Sequence, residues 1–468
     1  MTADWQGAIE RARAHAPFLR QLLERETALA ELLGAGRGEE ALAAARAVGQ
    51  GSEDTGVALR RERRALALVL AVGDLAGAFP LARVMAELSS FADRALDAAI
   101  AGALRVRVPG TEPAGFLALA LGKHGAGELN YSSDIDPILL YDPAALPRRE
   151  RDEPAEAAQR YAREIVRLRS EGTSEGYVFR VDLRLRPAAE VSPLAISVEA
   201  ATMHYESSAL AWERAAFIRA RACAGDVAAG EAFLEAIRPF VWRRSLDFGA
   251  IEEVRRLSLR IRERYMGPRE PGPRFNLKQG RGGIREIEFF AQTHQLIHGG
   301  RNAALRLRGT RAALDALAAA EVIPAEDRAL LGEAYDRLRT VEHRLQMIAD
   351  HQTHTLPDGE ALDRVARLDG LADGAALVAE LRELCGEVAR RYDAMLGASD
   401  SPAPPTAALP PGLAESAAHW TDGRYRALRS EAAIAAFEAV RPRLLAAFAV
   451  AAEPATVIAR WERLLERM

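Results

Sequence analysis

Two short apolar runs interrupt a chain that otherwise reads as helix. "FLALALG" (Phe116–Gly122) and "PILLYD" (Pro137–Asp142) are each bounded by turn residues and too short for a buried helix, so each reads as a buried strand. A third segment, "YVFRVDLRLRP" (Tyr177–Pro187), alternates from Phe179 to Arg186. Phe179, Val181, Leu183 and Leu185 are apolar, with charged residues between them, as in a half-buried strand. Between the second and third runs, "RDEPAEAAQRYAREIVRLRSEG" (Arg151–Gly172) is strongly helical. These elements define a small α+β unit over 109–200, embedded in helix on both sides.

The flanks follow from composition and spacing. Residues 1–108 are rich in Ala, Leu, Arg and Glu with apolar positions at helical intervals, and "GAGRGEE" (Gly34–Glu40) and "GQGSEDTG" (Gly49–Gly56) punctuate them as turns. Residues 201–398 read as helical again. One interruption, "MGPREPGPRFNLKQGRGG" (Met266–Gly283), is a long Gly-, Pro- and base-rich loop of the kind that carries function. "ASDSPAPPTAALPPG" supplies five prolines and reads as a semi-rigid linker over 399–412, and 413–468 reads as the helical start of a further region. The fold class expected is therefore α+β, mostly α-helical. At 468 residues the chain exceeds one ordinary core, and two or three domains are expected.

Charge and cysteine content narrow the function classes. With 62 basic and 66 acidic residues the formal net charge is −4, which argues against a general nucleic-acid coat or a polybasic membrane binder. The apolar fraction of 49% comes without any run of about 18 apolar residues, and the N-terminus has no signal-peptide core. Two cysteines, Cys223 and Cys385, lie far apart and outside any CxxC pattern, so they read as small buried hydrophobes in a reducing compartment. A cytoplasmic location is expected.

The chemistry concentrates in "LGKHGAGELNYSSDIDPILLYD" (Leu121–Asp142). Asp134 and Asp136 are at i, i+2, so on a strand both side chains face one way, about 7 Å apart along the chain. Two such carboxylates repel unless a cation lies between them, and Mg²⁺ or Mn²⁺ suits hard oxygen ligands. The preceding loop contains Gly122, Gly125, Gly127, Ser132 and Ser133, whose backbone N–H groups and hydroxyls suit close approach to phosphate. Asp182 is the candidate third carboxylate. It shares the even-numbered strand face with Arg180, Arg184 and Arg186, a metal ligand beside phosphate-binding guanidiniums. Alternatively that face is solvated and ion-paired, and the Asp pair is a turn.

Other polar positions are less committed. Asn276, Lys278, Arg281 and Arg285 suit an anion. Glu286 and Glu288 diverge by about 200° on a helix and cannot share one face. Glu213 and Arg214 read as a buried ion pair, His351 and His354 as polar loop residues, and His124 as structural.

A glycine turn, a spacer, Asp-x-Asp and a distant third Asp resemble the DNA polymerase beta-like nucleotidyltransferase superfamily. Lys123 stands where many members carry Ser or Gly, so the resemblance gives that side chain no phosphate role. "GELNYSSDID", "VFRVDLRLRP", "AWERAAFIRAR", "NLKQGRGGIREIEFFAQTHQLIHGGR" and "RLQMIADHQTHTLP" together resemble the bifunctional glutamine synthetase adenylyltransferase/adenylyl-removing family, in family order from about 116 to 357. "NYSSDID", "GGIREIEF" and "QTHTLP" resemble its N-terminal, adenylyl-removing half. Pro137 departs from the family's apolar residue after "DID", which implies a local backbone effect.

That resemblance implies a specific reaction. Asp134, Asp136 and Asp182 would hold Mg²⁺ or Mn²⁺. Orthophosphate would release AMP from a tyrosine of adenylylated glutamine synthetase as ADP. Gly122, Ser132, Ser133, Arg184, Arg186, Asn276, Lys278 and Arg285 would contact phosphate or nucleotide. A PII signalling protein is implied as regulator; nucleic acid and membrane are not. The opposite reaction, adenylylation of a protein tyrosine by ATP, and a non-catalytic helical scaffold remain as alternatives.

Overall fold

Local sequence sets the helices of the N-terminal third. Asp4 and Asp54 cap helices Trp5–His15 and Thr55–Leu75 by accepting the N–H groups of Gly7 and Val57. Between them run Pro17–Arg25, Thr27–Gly34 and Gly38–Ala47, and Leu81–Arg107 follows. Both Gly-rich stretches expected as turns separate helices here. Their apolar faces meet in one core that includes Leu33, Leu66, Val69 and Phe91.

The computed structural model describes residues 3–52, 54–170, 173–244, 259–260, 262, 265–396, 419–422, 424–425, 428, 434, 437, 441, 444–445, 448 and 453–467. Met1–Leu396 and Gly397–Met468 form two compact units. The proline-rich stretch 399–412 lies outside the described residues. In the second unit, Trp420, Phe437, Phe448 and Trp461 cluster around the helix Pro454–Arg467.

The first unit holds a five-stranded mixed sheet: β1 Phe116–Leu121, β2 Asp134–Tyr141, β3 Arg180–Val181, β4 Ala195–Ser197 and β5 Arg221–Gly225. Its order is β3-β2-β1-β5, with β4 also on β2. β1 pairs antiparallel with both β2 and β5, while β3 and β4 run parallel to β2 near its start and its end. Alternation divides β2. Ile138 and Leu140 pack with Leu117, Leu119 and Phe217 on one face, and Leu139 and Tyr141 pack with Phe116 and Tyr161 on the other. Mostly helical α+β architecture is what the sequence led us to expect.

Two strand assignments differ from that expectation. The alternating segment Tyr177–Pro187 pairs only over Arg180–Val181. Asp182 N–H donates to Ile135 O at 2.9 Å, and the next ladder bond would run from the residue-137 N–H to the Asp182 carbonyl. Pro137 has no N–H, so pairing stops there. The chain then turns, with Asp182 Oδ1 accepting Arg184 N–H at 2.9 Å. β5 lies in a stretch that reads as helix; its small residues Ala222, Ala224 and Gly225 give no strand signal of their own, and pairing with β1 decides the conformation.

Downstream, helices Ile284–His298, Thr310–Ala319, Ala325–Ala349, Gly359–Leu368 and Gly374–Met395 pack together. The Gly/Pro-rich loop is irregular but anchored. Phe275 and Leu277 are buried, Leu277 N–H donates to His354 O at 2.7 Å, and Leu356 N–H donates to Phe275 O at 2.9 Å. Two loops distant in sequence thereby brace each other. Among the described residues no helix is long and apolar enough to cross a membrane.

Candidate active site

β2 begins at Asp134, so Asp134 and Asp136 project from its first residues on one face. The parallel register of β3 sets Asp182 beside Asp136. Oxygens of Asp134, Asp136 and Asp182 lie within 4.8 Å of one another. Gly122 makes this crowding possible. It has φ +56°, and a Cβ there would lie 2.4 Å from Asp136 Oδ2. Gly122→Ala is expected to displace Asp136 and weaken divalent-cation binding by about tenfold or more, measured by calorimetric titration with Mn²⁺. Unchanged affinity would show that the close approach has no role in the site.

Electrostatics separates the three carboxylates. Burial, then the charges of Asp134 and Asp182, push Asp136 up to about 7. Arg184 hydrogen-bonds Asp182 and holds it below the usual carboxylate range. The donor set is all oxygen, strongly negative and partly open, which fits Mg²⁺ or Mn²⁺ and not a thiophilic ion. Asp134 has a positioning partner that the sequence did not reveal: Gln352 Nε2 donates to its Oδ1 at 2.6 Å.

Asp134 and Asp136 open into a cavity of about 490 Å³. Asp134, Asp136 and Gly122 form one side, and Lys123, Lys278 and Arg285 bring positive charge. Leu185, Trp212 and Phe289 add an apolar wall. Arg219 and Glu288 also line it, as a buried ion pair at 3.0 Å. Among the described residues no carboxylate lies within ion-pair distance of Lys278 or Arg285. Lys123 is drawn down to about 8 by burial, against the opposing charge of Glu342 3.2 Å away.

Several residues expected to contact phosphate are engaged elsewhere. Ser132 is buried; its hydroxyl donates to Asp350 O at 2.8 Å and its N–H to Gln346 Oε1 at 2.9 Å. Ser133 is buried too, with its hydroxyl 3.4 Å from Asn130 N–H, and neither serine lines the cavity. The Arg186 guanidinium donates to the carbonyls of Leu183, Ala189, Ser192 and Pro193, closing the loop after β3. Asn276 Oδ1 accepts the N–H groups of Lys278 and Gln279, an Asx turn that shapes the Gly-rich loop. Arg184 is exposed and bound to Asp182. In each case the polar atoms satisfy nearby backbone or side-chain groups, a requirement invisible in a local motif.

The less committed residues also find places. Glu286 pairs with Arg262 at 2.8 Å and Arg281 with Asp393 at 2.6 Å. Glu213 holds His204 at 2.8 Å, while Arg214 donates to Phe240 O, so the expected Glu213–Arg214 pair is replaced. His351 is exposed and His354 bonds to Glu342. His124 is buried against Asp93 at 2.7 Å. Asp93, His124 and Cys223 approach within 4.8 Å, but Arg221 binds both Asp93 oxygens at 2.9 Å and already neutralises that carboxylate.

Comparison with known proteins places this geometry in a family. Residues 7–236 match the family model described as Glutamate-ammonia ligase adenylyltransferase. The chain belongs to this family. Residues 255–396 match a second model, GlnD PII-uridylyltransferase. A "Bifunctional glutamine synthetase adenylyltransferase/adenylyl-removing enzyme" of Bradyrhizobium diazoefficiens is 41% identical over 443 residues, 87% of this chain and 44% of the relative. The protein of that name from Caulobacter vibrioides is 39% identical over 507 aligned residues, 100% of this chain and 51% of its own length. That from Agrobacterium fabrum is 40% identical over 444 residues, 87% of this chain and 45% of the relative. The chain spans about half the length of the curated relatives it matches.

Proposed function

We propose that this chain removes AMP from an adenylylated tyrosine of glutamine synthetase by phosphorolysis. The observation that carries the reading is the convergence of Asp134, Asp136 and Asp182, the first two of which line a cavity that Lys123, Lys278 and Arg285 make cationic. An oxygen of orthophosphate attacks the AMP phosphorus, and the bond to the tyrosine oxygen breaks. The electron pair leaves on that oxygen, which takes up a proton, and the products are ADP and unmodified tyrosine. Mg²⁺ or Mn²⁺ held by the three aspartates would neutralise charge on the reacting phosphates and the leaving phenolate. Lys278 and Arg285 would hold phosphoryl oxygens through charge-assisted hydrogen bonds. Trp212 and Phe289 offer a surface for an aromatic ring, and the partly enclosed cavity limits water as a competing nucleophile.

The direction is supported by the resemblance of "NYSSDID" and "GGIREIEF" to the adenylyl-removing half of the family. Two assays with the purified chain test it. With adenylylated synthetase, Mg²⁺ and orthophosphate, ADP is the expected product, and its formation should cease when phosphate is omitted. With unmodified synthetase and ATP, no AMP incorporation is expected. Incorporation in the second assay without release in the first would reverse the assignment.

A further inference from the structure

Lys123 begins with no role assigned by resemblance, yet its side chain lies on the cavity wall beside the glycine that abuts Asp136. It is only 12% exposed, and its Nζ is 3.2 Å from Glu342 Oε1. Glu342 is fully buried on the Ala325–Ala349 helix and also binds His354 Nδ1 and, at 3.0 Å, Arg339 Nε. The ammonium is thus anchored from beneath. An ammonium has three donor hydrogens, and the bond to Glu342 uses one of them.

The ligand follows from what the rest of the cavity provides. AMP has an aromatic base that Trp212 or Phe289 can contact. Orthophosphate has no apolar handle and depends on charge and hydrogen bonding alone. Lys123, Lys278 and Arg285 line one cavity, so an anion that enters it meets positive charge from three side chains. A second phosphate entering the cavity beside one held at the aspartates needs such cations to offset its charge. The geometry points to Lys123 as the residue that seats the incoming orthophosphate, positioned by Glu342 and His354; this rests on the phosphorolytic reading above.

Steady-state release of AMP by the full chain, with orthophosphate and adenylylated synthetase varied separately, tests the assignment. Lys123→Met is expected to raise KM for orthophosphate by about 10- to 100-fold, as loss of one charge-assisted hydrogen bond does. KM for the synthetase should stay within about twofold, and Lys123→Arg should recover part of the phosphate affinity. A phosphate KM that does not change, or two KM values that rise together, would overturn it. If the wild type shows no phosphate-dependent release, the phosphorolytic reading fails by itself, and calorimetric titration with inorganic phosphate then decides the seat. Binding weakened about tenfold or more in Lys123→Met supports it, and equal binding overturns it.

Discussion

Asp136→Asn is expected to lower phosphate-dependent AMP release by about 10²- to 10³-fold or more while raising the thermal midpoint of the metal-free protein. The two effects have one cause. Asp136 is half-buried beside Asp134 and Asp182, and without a cation its folded-state carboxyl is pushed up to about 7. Below about pH 4 folded and unfolded chains both keep the proton, and Asp136 costs nothing. From about pH 4 to 7 the unfolded chain loses it first, so folding becomes progressively less favourable, and above about 7 the full cost is present. Each tenfold change in the acid equilibrium is worth about 1.4 kcal/mol, so the cost is on the order of 4 kcal/mol. The midpoint difference between variant and wild type should therefore grow from pH 4 to 7 and then level off. Saturating Mg²⁺ should raise the wild-type midpoint at pH 7.5 more than the variant's. Melting curves across pH, with and without Mg²⁺, check this; a variant less stable than wild type at pH 7.5 without metal would contradict it.

Arg339→Met is expected to be among the most destabilising single changes, at about 3–5 kcal/mol. Arg339 is fully buried on the Ala325–Ala349 helix. It donates to Tyr335 Oη and the Glu128 carbonyl, both at 2.6 Å, and to Asn130 Oδ1, and it pairs with Glu342 at 3.0 Å. Removing the guanidinium leaves a buried carboxylate and three buried acceptors with fewer partners, which costs more than the pair contributes when intact. The exposed Arg328–Asp315 pair, at 2.6 Å, is the control, and Arg328→Ala should cost less than about 1 kcal/mol. Denaturant unfolding of both variants measures the contrast, and similar losses would show that burial of Arg339 is not what matters. Because Asn130 and Glu128 belong to the loop leading into β2, Arg339→Met should also lower activity through the placement of Asp134.

The site was legible where one strand writes its own geometry. Period-two alternation is a property of an extended backbone, so Asp134 and Asp136 had to share a face once "DIDPILLY" was read as strand. Asp182 stood out by its place among arginines. The apolar runs of β1 and β2 and the helical flanks were legible for the same reason. β5 was not, because its small residues are extended only through pairing with β1. Phosphate roles for Ser132, Ser133, Arg186 and Asn276 followed from residue type, and the packed chain instead uses those groups to satisfy neighbouring carbonyls, amides and side chains.

By itself, then, the sequence determined a small sheet inside helix and a carboxylate pair on one strand face, because both depend on interactions between near neighbours. Tertiary structure decided how far the third strand pairs, since Pro137 acts on a partner 45 residues away, at Asp182. It also decided which cations face the carboxylates. Gln352 reaches Asp134 and Glu342 reaches Lys123 across separations of 218 and 219 residues. Contacts that distant are fixed by how helices and loops pack, and no local pattern of residues encodes them.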